Sequence, residues 1–393
     1  MKKQQLKPVH IPVALLALLL PAGPAGCTLN KIIDDTPHPC NDQDCSGHGS
    51  CIVIRNDIAV CICDPGYEPD GLACVDPDTP APDSIFSETV SGLEPGEFQP
   101  LDGNTPEGFD SYGDLVKAHA SDADRWSDSA HWDSGRRRVF MYADRNEAVF
   151  IAYLADTNEW RILSTQGPRS QKYVYGSVGL DPGGFYYKFG TADGKRTLYR
   201  YSIPHDFWIT VETVFPGTAT GWAHTDPIEW HDALNSLVYI RVNEVFGFQD
   251  GEWQKYGDAA VDGYHSSAQY NRTRREMMFI GGNKSRSKVS LLDDEGVILD
   301  LEDAPFEFSI ANSSLTYDPL TGNYLVVLKT DVRVMWELDP SIDEWRMVFD
   351  WTEEGWPFDN YGGIVPVPID DYGVILWLNP GGPKLYLHKS VFN

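Results

Sequence analysis

Aromatic and histidine residues recur in the longer polar loops of the C-terminal three quarters of the chain. Amphipathic rings gathered on one surface can stack on sugars or anchor a protein partner. Because large aromatic residues are mostly buried, packing between structural elements is the alternative role for each single ring. The candidate ligand-binding residues are Trp126, His131, Tyr175, Trp222, His224, Tyr264, His265, Trp356 and Tyr361.

Three of these residues, His131, His224 and His265, are of a type that ligates transition metals. They come from three different copies of a sequence repeat, so their convergence on one ion is not required by the sequence. A structural histidine is the competing interpretation for each of them. We therefore assign no metal site.

Four acidic residues lie close to the same loops: Asp226, Glu229, Asp262 and Asp359. Glycoside hydrolysis needs two such carboxylates on either side of a substrate, and metal-assisted hydrolysis needs a bound ion. The sequence contains no nucleotide-binding loop, no His-Glu-x-x-His, no EF-hand loop and no Gly-x-Ser-x-Gly. We assign no catalytic residue and no cofactor, and an extracytoplasmic carbohydrate-active or other hydrolytic enzyme stays as the alternative function.

Six short apolar runs recur at intervals of 40 to 52 residues. Each run is rich in β-branched or aromatic residues, which is typical of a buried strand. A strand and a turn precede most runs, a third strand follows, and most units end in a strand with tryptophan (Trp160, Trp208, Trp253, Trp345). The runs are residues 139–142, 185–189, 237–240, 277–280, 324–328 and 374–378.

Six units of four antiparallel strands predict an all-β fold, a six-bladed β-propeller, and do not suit a two-layer sandwich. The turn Tyr317-Asp-Pro-Leu-Thr-Gly322, the later Asp339…Trp345 pair and Gly281-Gly282 resemble a kelch-type repeat. That resemblance covers about three quarters of the chain. Propellers generally place their ligand sites over the channel, on the face that carries the loops between strands two and three and between successive blades, here called the loop face.

Arginines concentrate in the turns between strands one and two, at residues 136–138 and at 272, 274 and 275. These turns belong to the opposite face, here called the turn face. Solvated turns are the simple interpretation. Contact with an anionic surface polymer is the functional interpretation of these arginines.

The sixth unit stops after its third strand, at residue 393. Residues 96–101, Gly-Glu-Phe-Gln-Pro-Leu, match the missing fourth strand, with Phe98 at the tryptophan position. Because an open ring would leave two bare edges, we predict that this segment pairs beside residues 385–387 as the outermost strand of the last blade. Pro100 is compatible with an edge strand.

Six cysteines lie between residues 40 and 74, and a seventh is Cys27. A segment this short cannot bury a sufficient core, so disulfides are expected to stabilise it. Sequence alone allows fifteen pairings. The spacing and the Asp64-Pro65-Gly66-Tyr67 turn resemble an EGF-like domain, which implies the pairs Cys40–Cys51, Cys45–Cys61 and Cys63–Cys74.

The N-terminus is typical of an export signal, with Lys2, Lys3 and Lys7 ahead of an apolar run too short to span a bilayer. Ala25-Gly26-Cys27 resembles a bacterial lipobox, which implies lipidation of Cys27. Ordinary signal-peptidase cleavage and secretion is the alternative.

The formal net charge of −27 argues against a nucleic-acid partner. We predict a signal peptide (1–26), a tether (27–39), an EGF-like domain (40–74), a linker rich in Pro and Asp (75–95) and the propeller (96–393). The predicted function is a surface-tethered binding protein at the outer membrane or cell surface. Its partner would be a protein or a glycan, and its membrane contact only the lipid anchor.

Overall fold

The computed structural model describes residues 40, 44–54, 58–65, 67–70, 73–75, 84–119, 130–143, 149–163, 178–192, 195–203, 207–211, 215–216, 227–310, 312–329, 332–353, 355–358, 364–379, 382 and 384–390. Within these residues the fold is almost entirely β, with two short α-helices and a few single turns of 3₁₀ helix. No helix among them is long and apolar enough to cross a membrane.

The cysteine-rich segment forms two small antiparallel hairpins. They consist of β1 (Gly49–Ile54) with β2 (Ile58–Cys63), and β3 (Glu68–Asp70) with β4 (Ala73–Val75). Three disulfides join Cys40 to Cys51, Cys45 to Cys61 and Cys63 to Cys74, the same pairs that the EGF-like resemblance implies.

Six four-stranded antiparallel sheets follow and form the blades of a propeller, as predicted. Blade 1 comprises β6 (Ala130–Asp133), β7 (Arg138–Ala143), β8 (Val149–Leu154) and β9 (Glu159–Ile162). Blade 2 comprises β10 (Val178–Leu180), β11 (Phe185–Ala192), β12 (Lys195–Ser202) and β13 (Phe207–Val211). Blade 3 comprises β14 (Ile228–His231), β15 (Ser236–Arg241), β16 (Glu244–Gln249) and β17 (Glu252–Asp258).

The second half of the ring has the same plan. Blade 4 comprises β18 (Ser266–Asn271), β19 (Glu276–Gly281), β20 (Val289–Leu292) and β21 (Ile298–Asp300). Blade 5 comprises β22 (Ser313–Tyr317), β23 (Tyr324–Lys329), β24 (Arg333–Asp339) and β25 (Glu344–Asp350). Blade 6 comprises β26 (Val365–Ile369), β27 (Val374–Leu378), β28 (Leu385–His388) and, from the N-terminal side, β5 (Phe98–Leu101).

Each interface between neighbouring blades has its own apolar core. Side chains alternate along a strand, so one set faces the preceding blade and the other the following blade. The residue at the tryptophan position of each outer strand packs toward the preceding blade. This position is filled by Trp160, Trp208, Trp253, Ile298, Trp345 and Phe98 in blades 1 to 6.

The predicted closure of the ring is confirmed. Strand β5 pairs antiparallel with β28, with Leu101 opposite Leu385, Gln99 opposite Leu387 and Phe98 opposite His388. Pro100 is exposed on this outermost strand, where its missing N–H costs no ladder hydrogen bond. The N-terminal strand therefore supplies the fourth strand of blade 6.

Two helices seal the junction of blades 6 and 1. Helix α1 (Ile85–Gly92) buries Phe86, and helix α2 (Tyr112–His119) stacks Tyr112 on Trp160 with ring centroids 4.2 Å apart. The sequence prediction had an extended linker through residue 95, without α1. The helix forms because Ser84 caps its N-terminus and Phe86 gains a buried site that only the folded ring provides.

Candidate functional site

The loop face is described only in part. Trp126, Tyr175, Trp222, His224 and Tyr361 lie outside the described residues, as do the acids Asp226 and Asp359. Of the remaining candidates, Tyr264 and His265 stack on each other, whereas His131 and Trp356 lie elsewhere. Their surroundings differ.

A cavity of about 310 Å³ opens on the loop face between blades 4 and 5. Its walls come from the loops that enter and leave blade 4 and from the loops between strands two and three of both blades. This is the location that the propeller prediction indicates. The side chains that define it are His265, Asn283, Arg286, Glu307, Phe308 and Asn312.

Hydrogen bonds between the backbones of two loops hold the cavity in shape. The loop between β19 and β20 accepts from the loop that follows β21, through Phe308 N–H to the Arg286 carbonyl (2.8 Å) and Ala304 N–H to the Ser287 carbonyl (2.8 Å). Phe308 is 1% exposed and fixes the end of the second loop in the core between blades 4 and 5. The wall is therefore preformed.

The Gly281-Gly282 pair makes this close approach possible. Gly281 has φ +84° and Gly282 has φ +99°, both in the region that favours glycine. A Cβ on Gly281 would overlap the Phe308 ring, and one on Gly282 would overlap the Asp262 carbonyl oxygen. The pair that carries the kelch-type resemblance thus shapes the candidate pocket.

His265 lies at the edge of the cavity with its ring orientation fixed. Its ring stacks on Tyr264 at 4.0 Å between centroids, and its Nδ1 lies 3.0 Å from Asn283 Oδ1. The Asn283 N–H in turn donates to the Tyr264 carbonyl over 2.9 Å. Burial lowers the pKa of His265, so its imidazole is neutral at neutral pH.

Charged residues of both signs form the rim of this cavity. Arg286 Nη1 lies 2.7 Å from Glu307 Oε2, and both side chains are largely exposed. Such an exposed pair contributes little to stability. It does present a guanidinium and a carboxylate at a cavity that Leu328 and Val332 also line, so the pocket combines ion pairing, hydrogen bonding and an apolar wall.

Trp356 has a different environment. Its ring makes edge contacts with Trp351 (5.5 Å) and Phe358 (5.2 Å) and belongs to the periphery of the core between blades 5 and 6. It is half-buried. The structure therefore places Trp356 in packing contacts between blades 5 and 6, and not among the residues that line the cavity with His265.

His131 lies in the channel. Its Nε2 is 3.0 Å from Glu229 Oε2, an interaction that joins blade 1 to blade 3, and its ring meets the edge of Tyr186 at 5.9 Å. Asp262, by contrast, caps its own loop, with Oδ1 accepting from the Tyr264 N–H at 3.3 Å. The two described acids of the candidate set are thus in separate places.

A polar cluster that sequence reasoning missed fills the channel toward the turn face. Arg272 Nε lies 3.1 Å from Asp232 Oδ2, its Nη1 lies 3.9 Å from Asp370 Oδ2, and the Tyr317 hydroxyl donates to Asp370 over 2.7 Å. Burial raises the pKa values of Asp232 and Asp370, while Arg272 opposes that rise. Arg272 is therefore a channel residue as well as a turn residue.

The channel cavity beside these groups measures only about 40 Å³. That volume holds about three water molecules and no sugar ring. Among the described residues, the only three potential metal ligands with atoms within 4.8 Å of one another are Cys45, Cys61 and Cys74, and each is in a disulfide.

No protein-family model matches the chain, and no curated protein matches it in sequence. Solved structures of similar shape include an auxiliary nutrient binding protein from Bacteroides thetaiotaomicron, with a TM-score of 0.49 at 7% identity over 74% of this chain and 75% of that one. A structural genomics protein of unknown function from the same organism gives 0.46 at 12% identity, over 74% and 75%. YjhT gives 0.48 at 10% identity, over 66% and 93%. Likeness at this level carries no inference about a ligand.

Proposed function

We propose that this protein is a surface-tethered extracytoplasmic binding protein that recognises a protein or a glycan on its loop face. The observation that supports this most directly is the 310 Å³ cavity between blades 4 and 5. The cavity is concave and preformed, and it combines the His265 ring with a few oriented polar groups, as ligand sites generally do. Its size suits one sugar unit or one large peptide side chain.

The direction of the tether supports the same function. Helix α1, which leads from the cysteine-rich segment into the ring, packs on the turn face, where Phe86 contacts Tyr372 at 5.3 Å and Arg137 Nη2 donates to Ser87 Oγ at 3.3 Å. Tyr372 and Arg137 both belong to turns between strands one and two. A tether on that face would leave the loop face directed away from the membrane.

The proposed location is the outer membrane or cell surface, through a lipid on Cys27. Three disulfides are typical of an exported protein, and the hairpins that they join support an EGF-like identity for the spacer. The turn at residues 317–322 and the Gly281-Gly282 pair support a kelch-like identity for the propeller.

The alternative, a hydrolase with its site in the channel, gains no specific support. The described channel carboxylates are engaged by His131, Arg272 and Tyr317, and the adjacent cavity is too small for a substrate. We therefore propose binding and assign no reaction.

Ligand screening tests the binding function. The purified mature chain is applied to a glycan array and, separately, to an array of purified bacterial and host surface proteins. Each hit is then titrated against His265→Ala, which removes an oriented ring, and Asn312→Arg, which places a charge in the mouth of the cavity. Arg275→Ala, an exposed change on the turn face, is the matched control.

We expect both loop-face variants to weaken binding at least tenfold and the control to leave it unchanged. A hit with the same affinity for all three variants would assign recognition to another surface. Absence of any hit on both arrays would count against a binding function.

The tether has its own test. Mass spectrometry of the mature N-terminal peptide is expected to find a lipid-modified Cys27, and Cys27→Ser is expected to move the protein from the membrane fraction to the soluble fraction. An unmodified peptide that begins at another residue would favour secretion.

A further inference from the structure

A second cavity of about 220 Å³ lies between blade 5 and the closing strands of blade 6. One wall is the sheet of blade 5, with Leu325, Met335 and Phe349, and the other is the end of β28, with His388 and the following Ser390. It shares no lining residue with the pocket between blades 4 and 5. It is smaller than the pockets that hold drug-sized ligands.

Two buried polar groups face this cavity without partners. His388 is 1% exposed and Ser390 is 9% exposed. No described residue forms a hydrogen bond with either ring nitrogen of His388 or with the Ser390 hydroxyl. Buried polar groups are nearly always hydrogen-bonded, so three unmet atoms beside one cavity indicate a missing partner there.

The His388 ring is held in one orientation. It stacks on Phe98 at 4.0 Å with the planes 5° apart, and it meets the edge of Phe349 at 5.9 Å. A ring fixed in this way offers its nitrogens in fixed directions. The missing partner must therefore bring its hydrogen-bonding groups to the ring, because the ring cannot turn to reach another residue.

The cavity offers no uncompensated charge. The Glu337 carboxylate accepts from Asn323 Nδ2 at 2.7 Å and from Arg346 Nε at 2.5 Å. Burial lowers the pKa of His388 to about 3, so its imidazole is neutral and has one donor and one acceptor nitrogen. A charged ligand would enter this site without a counter-ion, which is costly.

We propose that this cavity binds a small neutral polyhydroxylated molecule the size of one sugar ring, held by His388 and Ser390. A hydroxyl group both donates and accepts, so one hydroxyl of the ligand satisfies an imidazole nitrogen in either tautomer and another satisfies the serine. The apolar face of the ring lies on Leu325, Met335 and Phe349. The site is independent of the loop-face pocket and of the proposed function.

Saturation-transfer NMR on the intact mature protein tests the proposal. The probes are D-glucose, D-galactose, N-acetyl-D-glucosamine and myo-inositol, titrated one at a time. A ligand of about a dozen heavy atoms is expected to bind with a dissociation constant of about 1–10 mM. The ring-nitrogen resonances of His388 should shift during the titration.

Three variants identify the site. His388→Phe removes both nitrogens and Ser390→Ala removes the hydroxyl with almost no change in shape. We expect losses of affinity of at least tenfold and at least threefold, and no loss in His265→Ala, which alters only the other pocket. Near-UV circular dichroism verifies that each variant is folded. If His388→Phe does not fold, the affinity of Ser390→Ala alone tests the site.

Several results would overturn the proposal. These are no binding of any of the four probes, binding that Ser390→Ala leaves unchanged, and binding that is lost in His265→Ala. A crystal structure of the protein soaked in the best probe, with only ordered water beside His388, would also refute it.

Discussion

The contacts of Phe98 with aromatic residues of blade 5, of the segment that follows it and of blade 6 should carry much of the stability of ring closure. This ring lies within 6.2 Å, centroid to centroid, of Phe349, Trp351, Phe358, Trp377 and His388. Phe98→Ala removes all of these contacts and leaves the backbone pairing of β5 unchanged. It therefore isolates the side-chain part of closure.

The expected magnitude follows from burial. A half-buried phenylalanine side chain hides roughly 100 Å² of apolar surface. At about 25 cal/mol per Å² this contributes about 2.5 kcal/mol, and the aromatic pairs raise the loss on truncation to about 3 kcal/mol. For a propeller of this size that corresponds to a decrease in melting temperature of about 6 °C.

Urea unfolding followed by tryptophan fluorescence measures the effect. Ile162→Ala is the matched control, because Ile162 is an apolar residue on the outermost strand of blade 1 and is 40% exposed. Its loss should cost less than about 1 kcal/mol. Limited proteolysis should also cleave Phe98→Ala earlier than the control, near residues 94–104, since the strand without its anchor opens more often.

Equal unfolding midpoints for the two variants would refute the reasoning. Closure would then rest on the backbone ladder of β5 and on helices α1 and α2. A large effect of Ile162→Ala would refute it in another way, because it would show that every outer strand is equally critical.

Four other perturbations have definite expected outcomes. Gly282→Ala should cost about 2 kcal/mol or more, because of its positive φ and the Asp262 carbonyl, whereas Gly251→Ala, with a similar φ and open space, should cost about 1 kcal/mol in the same urea assay. Arg272→Ala should cost about 2 kcal/mol, since it removes the cationic partner of Asp232 and leaves Asp370 with only the Tyr317 hydroxyl, and the loss should shrink in acid as the two carboxylates protonate. The pKa of His388 in the folded protein is below its unfolded value, so the stability that the neutral imidazole contributes is complete above about pH 6.5 and is lost as the pH falls toward 3. His388→Phe should therefore flatten the pH profile of the unfolding midpoint between these two pH values. Reduction of the disulfides should unfold the cysteine-rich module and leave the tryptophan-detected transition unchanged, because that module contains no tryptophan.

The blade pattern could be predicted because strand and turn signals are local. A short β-branched run followed by Asp, Pro or Gly specifies a hairpin wherever it occurs, and six such runs allow one closed arrangement. Phe98 could be assigned because the sixth unit lacks one strand. Helix α1 could not be, since eight residues with little periodicity form a helix only when Phe86 finds the junction of blades 6 and 1.

The sequence predicts where the pocket between blades 4 and 5 lies, but not which side chains line it. Its loops follow from the strand order, but Arg286 and Glu307 lie in irregular segments whose paths depend on hydrogen bonds between loops. Gly281-Gly282 was the one local signal, because two adjacent glycines indicate a close backbone approach. The channel cluster left no signal, since Asp232, Arg272 and Asp370 are distant in sequence and each is typical of a turn.

The closing strand and the second cavity share one structural element. Phe98 stacks on His388, so the side chain that anchors β5 also fixes the imidazole that faces the cavity. Phe98→Ala should therefore free that ring and weaken polyol binding several-fold. Ligand binding by the pocket between blades 4 and 5 should not change, because its lining residues lie in those two blades and their loops, whereas the closing strand pairs with β28 of blade 6. Titration of both ligands into this variant, measured under conditions where it is fully folded, separates the two sites. Loss of binding at both sites would mean that the closing strand supports the whole ring and that the two cavities are not independent.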